Sequence, residues 1–216
     1  MNLIVKICGL STPQTLDAAL NAGADMVGFV FFAKSPRHIS FETARKLAQH
    51  MGQRADKVAL TVDANDATIA AIKADLQPQF LQLHGSETPE RVAEIRAKFG
   101  LPVIKAISLA RQEDLAEVTR FEPVADWLLF DAKPPSDTGL PGGNGAVFDW
   151  QFLRDLKTAR PWLLAGGLNV DNVAGALAAT GAPGIDVSSG VESAPGVKDD
   201  AQIRAFITNA RQIRTA

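Results

Sequence analysis

Eight short runs rich in Val, Ile, Leu and Phe recur along the chain, each separated from the next by a longer, Ala-rich amphipathic stretch. Short apolar runs read as buried strands and 3.6-residue periodicity reads as helix, so the alternation predicts repeated β–α units. Strands are expected at Leu3–Cys8, Met26–Phe32, Lys57–Val62, Phe80–Leu83, Val103–Ile107, Trp127–Asp131, Trp162–Ala165 and Ile185–Ser188. Helices are expected over about Pro13–Asn21, Phe41–His50, Asp66–Asp75, Pro89–Phe99, Gln112–Arg120, Trp150–Thr158, Val170–Ala179 and Asp200–Gln212. Ser11-Thr12-Pro13 and Thr88-Pro89-Glu90 supply a capping hydroxyl followed by proline in the first turn, and Ser40 and Asn169 mark further helix starts. Gly23, Gly52, Gly100 and Gly181 stand where helices should end. Eight such units in 216 residues fit an α/β fold, a single-domain (β/α)8 TIM barrel over residues 1–216, near the small end of its size range. A doubly wound open sheet shares the alternation but carries GxGxxG after its first strand, where this chain has CGLSTP. No Pro- or Ser-rich linker divides the chain.

Composition removes several function classes. The 22 basic and 24 acidic residues leave a net charge of −2, which is no footprint for nucleic acid or an anionic membrane. No apolar stretch approaches the roughly 20 residues of a membrane helix. The opening MNLIVKICGL has a charge inside its apolar run and no small-residue cleavage site after it, so it reads as a first strand and not a signal peptide. One cysteine, Cys8, excludes an internal disulfide and points to a reducing compartment, so the expected location is cytoplasmic.

In a parallel barrel, residues at the carboxyl ends of the strands and in the loops after them face the substrate. Read in order, those positions are Cys8, the loop Lys34–Ser40, Asp63, His84, Asp131, Gly166-Gly167 and Asp186–Gly190. Two glycine-rich turns follow the seventh and eighth strands, where such barrels commonly bind phosphate through backbone N–H groups. Gly166, Gly167, Ser188, Ser189 and Gly190 are therefore the candidate phosphate site. Tight turns needing positive φ would explain either segment alone.

Cys8 ends the first strand immediately before Gly9, which aims its thiol at the mouth. Asp131 ends the run Trp127-Leu128-Leu129-Phe130, too apolar to call for a carboxylate in packing. A thiolate and a carboxylic acid on opposite sides of one mouth make a base and an acid. With Cys8 inward, Lys6 also points inward one layer down, and Asp186 on the neighbouring eighth strand shares that parity. A Lys6–Asp186 pair is expected, with the ammonium favouring the Cys8 thiolate. Arg37, in a loop stiffened by Pro36, is a candidate clamp for a substrate carboxylate. His84, ending the fourth strand, either touches substrate or caps its loop. The three histidines lie on separate segments without metal-ligand spacing, so neither metal nor cofactor is expected. The segment Ala132–Val147, rich in Pro and Gly, is long for a strand-to-helix connection and is expected to act as a lid.

Lys6-Ile7-Cys8-Gly9, Gly28-Phe29-Val30-Phe31 with Ser35-Pro36-Arg37, Leu81-Gln82-Leu83-His84-Gly85, Gly142-Gly143-Asn144-Gly145 with Phe148-Asp149-Trp150, Gly166-Gly167-Leu168 and Asp186-Val187-Ser188-Ser189-Gly190-Val191-Glu192 occur in order from the first strand to the last. Together they resemble the phosphoribosylanthranilate isomerases of tryptophan biosynthesis. The resemblance implies an Amadori rearrangement of N-(5-phosphoribosyl)anthranilate, a small phosphosugar substrate, with Cys8 as general base and Asp131 as general acid. It also implies Arg37 against the anthranilate carboxylate and the two glycine-rich turns against the phosphate. A phosphosugar lyase or synthase, or a non-catalytic phosphosugar-binding barrel, fits the same scaffold but leaves the pairing of Cys8 with Asp131 unexplained.

Overall fold

The computed structural model describes residues 2–133, 142–143 and 148–212. Eight parallel strands close into a barrel in sequence order: β1 (Ile4–Cys8), β2 (Met26–Phe31), β3 (Asp56–Thr61), β4 (Phe80–Leu83), β5 (Val103–Leu109), β6 (Trp127–Ala132), β7 (Trp162–Leu164) and β8 (Gly184–Val187). Pairing of Lys6 with Asp186 on one side and with Met26 on the other closes the ring through β1. Parallel neighbours require crossover connections, which helices supply. Among the described residues these are α1 (Pro13–Ala22), α2 (Phe41–Met51), α3 (Asp66–Leu76), α4 (Pro89–Phe99), α5 (Ala116–Phe121) and, between β7 and β8, α6 (Val173–Thr180), while α7 (Asp200–Gln212) follows β8.

The expected caps are present. Thr12, Ser40 and Thr88 each accept the N–H three residues on, and α1 and α4 start with proline. Each helix buries one stripe against the strands, such as Ala44, Leu47 and Met51 on α2, or Val92, Ile95 and Phe99 on α4. Outward strand residues, Phe29 and Phe130 among them, meet those stripes in a large outer core. The alternate parity points inward, where Met26, Val58, Ile104, Ala106, Leu129, Leu163 and Ala165 form a second, separate cluster. Three polar side chains, Lys6, Thr61 and Gln82, are fully buried in strands of this barrel.

Three expected helices differ. The stretch Trp150–Thr158 forms only a 3₁₀ turn over Trp150–Leu153. Asp149 caps it through the N–H of Gln151, two residues on, and Leu153 is the residue it buries. After that turn Glu122 accepts from the Thr158 hydroxyl and the Ala159 N–H, which holds the chain away from a helical path. The stretch from Gln112 splits into a 3₁₀ turn, Gln112–Leu115, and the short α5. Asn169 starts a turn whose side chain accepts from the N–H groups of Asp171 and Asn172, so α6 begins at Val173. A small hairpin absent from the sequence reading, β9 (Glu192–Ala194) with β10 (Val197–Lys198), precedes α7. Among the described residues, no helix is long and apolar enough to cross a membrane.

Candidate active site

One cleft of about 790 Å³ opens at the carboxyl ends of the strands, the face a parallel barrel uses for chemistry. Cys8, Arg37, His84, Asp131, Gly166, Gly167, Asp186, Ser188 and Ser189 all line it. Gly190 does not. A Cβ there would collide with the carbonyl oxygen of Leu168, so its role is to bring the turn after β8 against the turn after β7.

Cys8 and Lys6 share an inward face on β1, and both lie over Gly28 of β2. A Cβ at Gly28 would sit 2.7 Å from the Cys8 sulfur and 3.0 Å from Lys6 Nζ, so only glycine leaves room for the pair. Lys6 Nζ donates to Asp186 at 2.8 Å, the expected ion pair, with the lysine side chain wholly buried. Burial alone would lower the Lys6 pKa, yet Asp186 and Cys8 together hold the ammonium above its usual range. Burial pushes the Cys8 thiol up, further than Lys6 pulls it down. The ammonium therefore acts in the expected direction but is outweighed, and the resting group is a thiol.

Asp131 reaches the cleft from β6. Its Oδ1 accepts the N–H of Ala132 at 2.9 Å, and its Oδ2 lies 3.2 Å from His84 Nε2. His84 thus meets the carboxyl group directly from β4. Asp63, also on the expected rim, turns away from the cleft, and its Oδ1 accepts the Ser86 N–H.

Arg37 already holds a carboxylate of this chain. Its Nε and Nη2 donate to the two oxygens of Glu192 at 2.7 and 2.8 Å, and Nη2 also donates to the Gly143 carbonyl. The edge of the guanidinium facing Glu192 is occupied, and Nη1 lies against Gly143. Glu192 accepts as well from Lys198 at 2.6 Å. Burial alone would raise Glu192, but Arg37 and Lys198 hold its carboxyl below the usual range. Lys198 is lowered by burial despite Glu192. Its ammonium also donates to the carbonyl and hydroxyl oxygens of Ser188. Ser188 in turn donates its hydroxyl to the Cys8 carbonyl at 3.1 Å, so an anion at this turn would meet backbone and not that hydroxyl proton.

Glu192 and Lys198 were missed as site residues. Glu192 closes the last motif of the chain and Lys198 lies in an ordinary polar stretch; only the hairpin brings them together. The expected lid lies mostly outside the described residues, in 134–141 and 144–147. Among the described residues, no three His, Cys, Asp or Glu side chains group as a metal would require.

The family model for N-(5′-phosphoribosyl)anthranilate (PRA) isomerase matches residues 5–209. This chain belongs to the PRA isomerase family. It is 62% identical over 212 residues to the N-(5′-phosphoribosyl)anthranilate isomerase of Beijerinckia indica, covering 98% of this chain and 96% of that one. The Rhodopseudomonas palustris protein of the same name is 58% identical over 211 residues, covering 98% and 97%. Among solved structures, the Thermotoga maritima PRA isomerase superposes with a TM-score of 0.86 at 34% identity, covering 97% of this chain and 99% of that one. A PRA isomerase in complex with reduced 1-(o-carboxyphenylamino)-1-deoxyribulose 5-phosphate gives a TM-score of 0.83 at 32% identity, with the same coverage. PRA isomerases are aldose–ketose isomerases of tryptophan biosynthesis, and the closed eight-stranded barrel is theirs.

Proposed function

We propose that this PRA isomerase converts N-(5-phosphoribosyl)anthranilate to 1-(2-carboxyphenylamino)-1-deoxyribulose 5-phosphate with Cys8 as base and Asp131 as acid. The observation that carries the reading is the placing of a thiol and a carboxyl group on separate walls of one cleft, from β1 and β6. Proton donation to one side of a sugar and abstraction from the other need that arrangement.

Asp131 protonates the furanose ring oxygen as the bond from that oxygen to the anomeric carbon breaks, with nitrogen supplying the electron pair of the resulting Schiff base. The Cys8 thiolate, present once the resting thiol has lost its proton to solvent, then removes the proton from the second sugar carbon, and the electron pair neutralises the iminium as an enolamine. Tautomerisation moves the enol proton to the first carbon and leaves the ketone. No atom is gained or lost, so no co-reactant is consumed. Lys6 and Lys198 favour the thiolate against its burial. Asp186 keeps Lys6 charged. Gly166, Gly167, Ser188 and Ser189 receive the phosphate through their turns, Gly190 holds those turns together, and Arg37 meets the anthranilate carboxylate.

The test is Cys8→Ala and Asp131→Asn, each followed by loss of phosphoribosylanthranilate fluorescence. Each is expected to lower kcat at least about 10²-fold with the fold intact, the lower range for general acid–base groups. Full activity in either variant removes that residue from the mechanism.

A further inference from the structure

We propose that Gln82 is a positioning residue for the acid: it holds His84 as the Nε2–H tautomer, so that the ring N–H faces Asp131. The inference rests on Asp131 being the general acid.

Gln82 lies on β4 at a position whose parity elsewhere in the barrel is filled by Val58, Ile104 and Leu129, and it is fully buried. Burying an amide there is unfavourable for each polar group left without a partner, so an apolar residue would suit packing better. Among the described residues the amide makes one side-chain hydrogen bond, Nε2 to His84 Nδ1 at 3.0 Å. Its Oε1 has no hydrogen-bond partner among the described residues. A buried amide that satisfies only one of its two ends is poor packing, and the end it satisfies is the imidazole.

The direction of that contact fixes a proton. An amide NH₂ donates, so Nδ1 must accept, and a neutral imidazole then carries its hydrogen on Nε2. The opposite amide orientation would bury a donor group without a partner in place of an acceptor, the rarer of the two defects. It would also turn Nε2 into a lone pair aimed at Asp131 Oδ2. With Gln82 as donor, the carboxylate that remains after proton transfer has a donor on each oxygen: Ala132 N–H on Oδ1 and His84 Nε2–H on Oδ2. As the Asp131 O–H bond breaks and its proton joins the ring oxygen, the electron pair stays on the carboxylate, where both donors already point. Stabilisation aimed at charge that develops in the transition state raises turnover more than binding. The backbone closes over the same pair: a Cβ on Gly142 would sit 2.6 Å from His84 Nε2 and 2.7 Å from Asp131 Oδ2.

The experiment is ¹⁵N NMR of histidine-labelled wild-type protein near pH 8, with the His84 signals identified by their loss in His84→Ala. A His84 signal pair with Nε2 protonated and Nδ1 bare is expected; Nδ1 protonated instead overturns the proposal, and this reading needs no Gln82 variant to fold. Gln82→Met, of similar volume, should lower kcat about 10–100-fold, as loss of a histidine's outer partner does elsewhere, while KM changes little. In the His84→Ala background the same substitution should cost nothing more, because it acts through that ring. Fully additive losses overturn the proposal. Gln82→Glu, whose carboxylate only accepts, should place the His84 proton on Nδ1. Active Asp131→Asn beside an Nε2–H ring would remove the acid and spare the tautomer, whereas inactive Asp131→Asn beside an Nδ1–H ring would do the reverse.

Discussion

Lys6→Met separates the stability of the barrel interior from the chemistry above it. The substitution keeps most of the lysine stem and leaves Asp186, 8% exposed at its side chain, without its 2.8 Å partner. Breaking a buried pair by removing one member costs about 3–5 kcal/mol, because the remaining charge is stranded in low dielectric. For a chain of this size about 1 kcal/mol shifts Tm by roughly 2–4 °C, so the midpoint should fall by roughly 6–20 °C. Lys46→Met is the internal control: Lys46 and Glu42 are each 72% exposed, and an ion pair so open to water contributes little. Lys6→Met/Asp186→Leu removes both charges and should recover most of the loss. It should not recover activity, because Cys8 still lacks the nearest cation that favours its thiolate. Thermal unfolding at pH 7 and the fluorescence assay measure the two properties on the same samples. If Lys6→Met costs no more than Lys46→Met, or if the double variant regains turnover, the reasoning from burial and charge is refuted.

The rise of kcat/KM with pH should follow ionisation of the buried Cys8 thiol, and in a folded Lys6→Met sample the rise should move to higher pH; an unmoved profile removes Lys6 from the account. Because burial raises the folded pKa of Cys8, the folded state keeps a proton that the unfolded chain loses above about pH 8.5. Its contribution to stability is therefore full below that pH and lost as pH climbs through the folded value, so Tm should decline on the alkaline side and Cys8→Ala should decline less. Glu192→Gln should raise KM for the substrate more than it lowers kcat, since it loosens an arginine that binds throughout the reaction; an equal effect on a substrate analogue without the carboxylate would argue against the clamp. Exhaustive chelation and dialysis should leave activity unchanged, and activity restored by a divalent ion would contradict the cofactor-free mechanism.

The barrel was legible because its two periods are local. Strand runs, capping hydroxyls and terminal glycines all sit within a few residues of the elements they define. The parity of Lys6, Cys8 and Asp186 was legible for the same reason, once closure made β1 and β8 neighbours. The carboxylate at Asp131 stood out by ending an apolar run. What escaped notice was non-local. Arg37 meets Glu192 across 155 residues, and Lys198 reaches the site only through a two-residue strand of a hairpin. Gln82 read as part of a short strand, and its contact with His84 two positions on appears only when both side chains share the barrel interior. The 3₁₀ turn after Asp149 was lost to helical periodicity, because residues three apart satisfy both patterns at that length.

The most direct test of the account is to give the purified protein phosphoribosylanthranilate and to measure, in one sample, the loss of its fluorescence and the appearance of the aminodeoxyribulose phosphate. The account predicts catalytic turnover in which substrate lost equals product formed, and a protein carrying both Cys8→Ala and Asp131→Asn that still binds the product analogue but turns nothing over. Tight binding by the wild-type protein with no product above the uncatalysed rate would contradict it.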